Sequence, residues 1–381
     1  MEKTIVVLGG GIGGIVASRE LRRHLGNRHR IVLIDRSGVH SFPPSYLWVM
    51  VGWRKPEAIL KPLPAMEKHG VEFYQATVRA IHPVEHRIET DRDDFRYDYL
   101  VLALGAELMP RLVRGWGEGV YSFYTLEDVV KLRDALGSLS GGTIAIVIGE
   151  TPYKCPPAPY EAAFILESFF SRRTNGGTAI KVFTPEPAPL PAAGPAGASM
   201  LSELLRRRQI ELHLSHKVSA INPGQKVSFE NGASCGYDML ILIPPHRPPE
   251  IVRAAGLTDE SGWVAVDPNS LRTRFPDVFA VGDVTTVRLP SGGALPKAGV
   301  FAAGEAETVA HNIASELRTH APLKEFGGTG HCYLETGYGR AGYIQGNFFA
   351  KPGPVVSVDE PSVTHHWKKV IFEKYWLWRW F

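Results

Sequence analysis

Thr4-Ile5-Val6-Val7-Leu8-Gly9-Gly10-Gly11-Ile12-Gly13-Gly14 is the stretch that decides the fold. An apolar β-branched run reads as a buried strand, and Gly9, Gly11 and Gly14 follow it in G-x-G-x-x-G spacing. The first glycine makes a tight turn, the second lets backbone approach a pyrophosphate, and the third lets helix and strand pack closely. The helix expected from Gly13 to Leu25 then turns its free N–H groups toward the anion. The second strand, Arg30 to Ile34, is closed by Asp35, twenty-one residues after Gly14. That is where a carboxylate meets the ribose hydroxyls of an adenosine. The stretch therefore predicts a dinucleotide site, without separating NAD from FAD.

Outward from it, strands and helices alternate. Tyr99 to Leu104 reads as a buried parallel strand. A second unit starts with the strand Thr143 to Ile148, a helix from about Tyr160 to Arg172, and the strand Ile180 to Thr184. Pro185 to Pro195 reads as a loop, Ser199 to Arg208 as a helix, and Glu211 to Ser215, Asp238 to Ile243 and Val278 to Val281 as strands. This is an α/β pattern with two Rossmann-like, doubly wound domains. The 381 residues, 44% hydrophobic and 21% charged, suffice for two or three domains. A net charge of +3 without a long basic run gives nucleic-acid binding no support. No apolar run reaches the ~18–20 residues that span a bilayer. Met1 runs almost directly into the first strand, so no signal peptide is expected, and no metal site is expected either. Cys155, Cys235 and Cys332 are too few for a disulfide scaffold but suffice for a catalytic pair.

Two later segments point to FAD. Ala103-Leu104-Gly105 and Val281-Gly282-Asp283 each end a buried strand, and the pair resembles the further FAD contacts of the disulfide-reductase-like flavoproteins. The resemblance covers Thr4 to about Asn312 and implies that Asp283 binds the ribityl chain. The second unit lacks the matching NADH loop. Its first strand is followed by Gly149-Glu150-Thr151-Pro152-Tyr153-Lys154-Cys155-Pro156-Pro157, with one glycine, prolines that donate no N–H, and an acid that repels phosphate. NADH binding is not expected there.

Cys155 stands before a helix and beside Lys154, a setting that favours a thiolate. Cys155, Pro159, Tyr160 and Glu161 match the Cys-x-x-x-Pro-Tyr-Glu signature of the sulfide:quinone oxidoreductases and of their relative, flavocytochrome c sulfide dehydrogenase. Pro296 to Ala302, Phe372 to Trp378 and Phe42 to Ser45 match further stretches of that family. The resemblance implies that Cys155 and Cys332 flank the flavin as a disulfide or polysulfide, Cys155 holding the sulfur chain and Cys332 facing the flavin. It implies sulfide as substrate and a quinone as acceptor. Lys297 is the candidate for stabilising reduced flavin or polarising the quinone, or else a surface lysine at a helix start. Glu161 is a candidate acid or base, or else an acid complementing the helix dipole.

The resulting domains are 1–115 with 256–325 for FAD, 116–255 as a second Rossmann-like domain without a usable NADH loop, and 326–381 as a C-terminal region. Four of the eight tryptophans, Trp367, Trp376, Trp378 and Trp380, stand in the last fifteen residues among Lys368, Lys369, Lys374 and Arg379. Val363 to Phe381 reads as a helix with an apolar arc of Trp367, Val370, Ile371, Tyr375 and Trp378, suited to a membrane interface or to a neighbour. Tyr46 to Trp53 is a further apolar segment that could join this face. These features predict a peripheral membrane protein on the cytoplasmic side, with a homo-oligomer left open.

Two departures stand out. Tyr124 occupies the place of a third family cysteine, which excludes a thioether from that position, and Cys235 lies in a polar hairpin that cannot replace it. Residues 186–194 also lack the family's histidine. Three alternatives remain open at this level: a flavocytochrome c-like subunit, an NADH:quinone oxidoreductase, and a non-catalytic thiol sensor.

Overall fold

The computed structural model describes residues 1–173, 177–318 and 322–381. In chain order its main elements begin with β1 (Thr4–Leu8), α1 (Ile12–Leu25), β2 (Arg30–Asp35), α2 (Tyr46–Met50), β3 (Glu72–Gln75) and β4 (Tyr99–Leu102). Then come β5 (Val120–Tyr121), α3 (Leu126–Ser138), β6 (Gly142–Ile148), α4 (Ala158–Ser171), β7 (Thr178–Phe183), α5 (Gly194–Arg207), β8 (Glu211–His213) and β9 (Met239–Ile243). The chain ends with β10 (Val278–Ala280), α6 (Gly299–Arg318), β11 (Thr329–Glu335), β12 (Ala341–Asn347), β13 (Val355–Ser362) and α7 (Val363–Trp380).

The fold is α/β, with two five-stranded parallel sheets. The first has the order β10-β4-β1-β2-β3 and the second β5-β9-β6-β7-β8. The central strands read Ile-Val-Val-Leu and Ile-Ala-Ile-Val-Ile because helices and loops cover both of their faces. In each sheet the order reverses beside the first strand of the unit, β1 or β6, and such a reversal opens a crevice at the strands' C-terminal ends. The glycine loop follows β1 into that crevice. The proline-rich loop bearing Cys155 follows β6.

Pro185 to Pro195 is only partly a loop. A short turn covers Pro191–Ala193 and α5 already begins at Gly194. Pro195 sits in its first turn, where the missing N–H costs nothing and the fixed φ suits a helix.

The C-terminal region is an antiparallel sheet, β11-β12-β13, closed by α7. Tyr46 to Val51 does not form an exposed apolar face as expected. These residues are buried in the core, and only Gly52 and Trp53 at the end of the segment reach the surface. The arc expected on α7 also shifts. Trp367, Ile371, Phe372, Tyr375 and Trp378 point outward, whereas Val370 is half-buried. The inner face carries Lys369, Glu373, Trp376, Leu377 and Trp380, all buried. Lys374 lies on the outer side. Among the described residues, no helix is long and apolar enough to cross a membrane.

Candidate active site

The glycines after β1 do different work. Gly9 adopts φ +106°, and a Cβ there would stand 2.3 Å from the Ala103 carbonyl oxygen. A Cβ on Gly14 would stand 1.8 Å from the Gly9 oxygen. Both glycines are needed for the chain's own close packing. At Gly11 a Cβ would meet nothing within 4 Å, which leaves that backbone open to a phosphate at the start of α1. Asp35 braces the loop, its Oδ2 accepting the Gly10 N–H at 2.5 Å and its Oδ1 the Ser37 N–H at 2.6 Å. Gly14→Ala should therefore collapse the loop geometry. The purified variant is expected to carry less than about a tenth of the wild-type flavin, read from its visible absorbance relative to protein; a cost of only ~1.4 kcal/mol in affinity makes a tenfold difference.

The other end of the candidate nucleotide site is built from the segments after β4 and β10 and the start of α6. Gly105, after β4, has φ +69°, and Gly282, after β10, has φ +77°. The Gly282 N–H donates to Glu305 Oε2 at 2.5 Å. Asp283 points a buried Oδ1 that has no hydrogen-bond partner among the described residues. Burial raises its pKa, while Lys154 and Lys297 oppose the rise. A buried acceptor without a partner fits the hydroxyls of a ribityl chain, and the open backbone at Gly11 fits the pyrophosphate. These residues thus suit FAD.

Lys297 is not a surface lysine. It is buried, its Nζ donates to the carbonyls of Asp283 and Thr285 at 2.8 Å each, and it lies 3.4 Å from the Trp263 ring centroid. Burial pulls its pKa down to about 8, against the pull of Asp283 and Glu305. Glu305 is also buried, and burial pushes it up to about 7. Sequence reading missed Glu305. Its only signal was an acid nearly two turns into the helix, following Ala-Ala-Gly.

Cys155 is held by its backbone. Its N–H donates to the Lys297 carbonyl at 2.7 Å, and its own carbonyl accepts the Ala158 N–H at 2.9 Å at the start of α4. Tyr124 donates its hydroxyl proton to the Lys154 carbonyl at 2.9 Å. That position thus fastens the Cys155 loop. Cys332 lies on β11 opposite Ile344 of β12. Both thiols are free, and Cys155 is solvent-open although protein crowds it on its other sides. Cys235 is remote from this pair, in the strand Ser234–Gly236 of the second domain's antiparallel meander.

The thiolate expected at Cys155 from Lys154 and the helix start is not what the surroundings favour. Burial and the nearby Glu161 carboxylate push its thiol up to about 12, and the cation that opposes them is Lys369 of α7 rather than Lys154. Cys332 is likewise pushed up to about 12 by burial, then by Cys155 and Glu161, and is pulled back by Lys369. The two cysteines therefore lie within electrostatic reach of each other and share one buried ion pair.

That pair is Glu161–Lys369, in direct contact and buried on both sides. Glu161 does more than complement the helix dipole. Burial pushes it up to about 7 despite the Lys369 charge. Glu335, fully buried on β11, accepts a hydrogen bond from His366 Nδ1 at 2.7 Å. Sequence reading missed Lys369, Glu335 and His366. Among the described residues, no cluster of histidine, cysteine and acidic side chains is arranged to hold a metal ion.

The family model described as pyridine nucleotide-disulphide oxidoreductase matches residues 3–306. A sulfide-quinone reductase of Aquifex aeolicus is 30% identical over 408 aligned positions, covering 100% of this chain and 91% of the relative. The mitochondrial sulfide:quinone oxidoreductase of Mus musculus is 27% identical over 364, covering 91% of this chain and 79% of the relative. The X-ray structure of the sulfide:quinone oxidoreductase from Aquifex aeolicus superimposes with a TM-score of 0.89 at 27% identity, over 99% of this chain and 91% of that one. A family match over most of the chain, joined to a relative matched along nearly its whole length, assigns the protein to the FAD-binding pyridine nucleotide-disulphide oxidoreductases and, within them, to the sulfide:quinone oxidoreductase family.

Proposed function

We propose that this enzyme oxidises sulfide at the Cys155–Cys332 pair and passes the electrons by way of FAD to a quinone. The observation that carries the reading is the shared surroundings of the two thiols: one buried ion pair, Glu161–Lys369, acts on both, and the Asp283 carboxylate of the flavin segment acts on Cys155. Gly9, Gly11, Gly14, Asp35, Ala103, Gly105, Gly282 and Asp283 hold FAD. When bound, FAD supplies a two-electron acceptor next to the dithiol and a donor to the quinone.

The chain's own residues divide the rest of the work. In the oxidised state Cys155 and Cys332 form a bridge. Hydrosulfide attacks Cys155 Sγ, the S–S bond between the cysteines breaks, and the electron pair stays on Cys332 as thiolate. Cys155 retains the new sulfur. Lys297 fixes the Cys155 loop through its carbonyl and the Asp283 segment through its ammonium group. A buried cation there favours added negative charge on the flavin.

The outer face of α7 supports peripheral attachment to a membrane. Ile371 is 64% and Trp378 74% exposed, and Trp367, Phe372 and Tyr375 extend the patch, bordered by Lys368, Lys374 and Arg379. Large aromatic side chains beside cations suit the headgroup boundary, which is where a quinone would be met.

Purified holoenzyme mixed with sulfide and a short-chain quinone is expected to reduce the quinone. NADH in place of sulfide is expected to leave the flavin oxidised, because the loop after β6 has one glycine and its Glu150 is paired with Arg247 at 2.8 Å. Quinone reduction with NADH but not with sulfide would overturn the proposal.

A further inference from the structure

Cys155 has a backbone conformation that its side chain disfavours. Its φ is +53°, in the left-handed region that a residue with a Cβ enters at a cost. Such a conformation persists only where the surroundings hold it, and three hydrogen bonds do so here. The Lys154–Cys155 peptide is pinned at both edges. Its carbonyl accepts the Tyr124 hydroxyl proton at 2.9 Å, and its N–H donates to the Lys297 carbonyl at 2.7 Å. The next peptide is pinned at the Cys155 carbonyl, which accepts the Ala158 N–H at 2.9 Å. Two of these three bonds join backbone to backbone. The Tyr124 hydroxyl supplies the third, the one that a side chain controls.

The ring that carries this hydroxyl is itself fixed. Tyr124 stands between β5 and α3, and the next residue, Thr125, caps α3 by accepting the Asp128 N–H at 3.1 Å. The ring is buried, stacked on Phe123 at 5.0 Å and met edge-on by His246 at 5.2 Å. His246 is fully buried, and its Nδ1 is tied to the Pro244 carbonyl at 2.8 Å. The Lys154 ammonium group lies 5.8 Å from the Tyr124 ring centroid. Burial raises the phenol well above its ordinary pKa, so the hydroxyl keeps its proton and remains a donor throughout the neutral range.

The other thiol leaves little room for adjustment, because Cys332 is held in register with Ile344 between two strands. A disulfide needs Cβ atoms about 3.5–4.5 Å apart. Relaxing Cys155 to a helical φ near −63° would turn its Cα–Cβ bond by roughly 115° about the N–Cα axis, or else turn the Lys154–Cys155 peptide and break both its bonds. With Cys332 fixed on its strand, the Cys155 backbone decides whether the two sulfurs meet.

Building on the sulfur reading, we infer that Tyr124 is a positioning residue for the Cys155–Cys332 bridge: its hydroxyl, by holding the Lys154–Cys155 peptide, keeps Cys155 in the left-handed conformation from which the bridge closes. Tyr124 acts on the sulfur through the backbone. Its contribution is to the effective concentration of one thiol at the other, which is paid for by fixing the loop in advance.

The test reads the bridge itself and needs no turnover. Holoenzyme is equilibrated without oxygen in mixtures of reduced and oxidised dithiothreitol and labelled with iodoacetamide, and free Cys155 and Cys332 are counted by mass spectrometry. Closing the bridge forms one S–S bond, and oxidised dithiothreitol takes the two electrons and two protons of the thiols as its own S–S bond opens. Tyr124→Phe keeps the ring contacts and frees the Lys154 carbonyl. Its equilibrium constant for closure is expected to fall about tenfold, which for two electrons places the midpoint about 30 mV higher. The flavin midpoint, followed by absorbance in the same samples, should stay where it is. Replacing Tyr124 by 4-aminophenylalanine, which keeps a donor at the same ring position, should restore closure to within about threefold of wild type. If Tyr124→Phe fails to fold, His246→Leu decides the matter. It removes the edge-on support, leaves the hydroxyl in place, and should shift closure in the same direction by about threefold. Wild-type cysteines that form no bridge at any dithiothreitol ratio would defeat the sulfur reading itself. A wild-type bridge whose midpoint is unmoved in the variant, or a flavin midpoint displaced along with it, would defeat this inference alone.

Discussion

Cys332→Ser is expected to cut sulfide-dependent quinone reduction by about a thousandfold or more, the scale seen when a covalent participant is removed from a catalytic unit. Serine keeps the shape and the β11–β12 pairing opposite Ile344, which uses backbone groups only. It forms no disulfide, and its hydroxyl is no leaving group for hydrosulfide to displace. The residues that fit FAD, from Gly9 to Asp283, lie on other elements, so the variant should retain its yellow colour. Cys155→Ser should match it in rate. Cys235→Ser should behave as wild type, since its thiol only donates to the adjacent Gly236 carbonyl in a remote meander. The assay is quinone reduction normalised to bound flavin. A Cys332→Ser enzyme within tenfold of wild type would mean that the two thiols do not act as a relay.

The nucleotide half of this molecule could be read from the sequence because its signals are local. A glycine turn, an apolar strand and an acid at the strand end each act within a few residues, and β1, α1 and β2 formed almost where the pattern put them. The C-terminal sheet could not be read this way. Its strands, Thr-Gly-His-Cys-Tyr-Leu-Glu and Ala-Gly-Tyr-Ile-Gln-Gly-Asn, contain glycines and polar residues and owe their form to pairing with each other and packing under α7. The cysteines were visible through the residues beside them. Lys369 was not, because its partner Glu161 is 208 residues away. One clue was present: Lys369 and Glu373 fall at i and i+4 on the helix face that also carries Trp376, Leu377 and Trp380. Charges within an apolar stripe call for buried partners. Glu373 has them in Ser45 at 2.6 Å and Arg54 at 3.0 Å.

Because α7 has this inner face, removing residues 363–381 is expected to unfold the protein and not merely to release it from membranes. Burial of Trp376, Leu377 and Trp380 is worth about 1.5–3 kcal/mol per side chain. Glu161 would remain buried without Lys369, and stranding one member of a buried pair costs about 3–5 kcal/mol. Together these losses rival the roughly 5–15 kcal/mol that holds a domain folded. Substitutions confined to the outer face should have the opposite profile. Replacing Trp367, Ile371, Tyr375 and Trp378 together by glutamine removes exposed apolar surface and keeps good helix formers. Such a variant should melt within a few degrees of wild type, as surface changes usually cost about 0.5 kcal/mol or less each. Its binding to lipid vesicles, measured by co-sedimentation, should fall by about a hundredfold or more, since a loss of only ~2.8 kcal/mol across four inserting side chains suffices for that. Unchanged vesicle binding would show that another surface meets the membrane. Unfolding of the four-residue variant would show that the outer face is covered within the protein's own assembly. Attachment and folding should thus separate by substitution but not by truncation, because a single helix turns aromatic side chains outward while its inner face brings Lys369 to the cysteines.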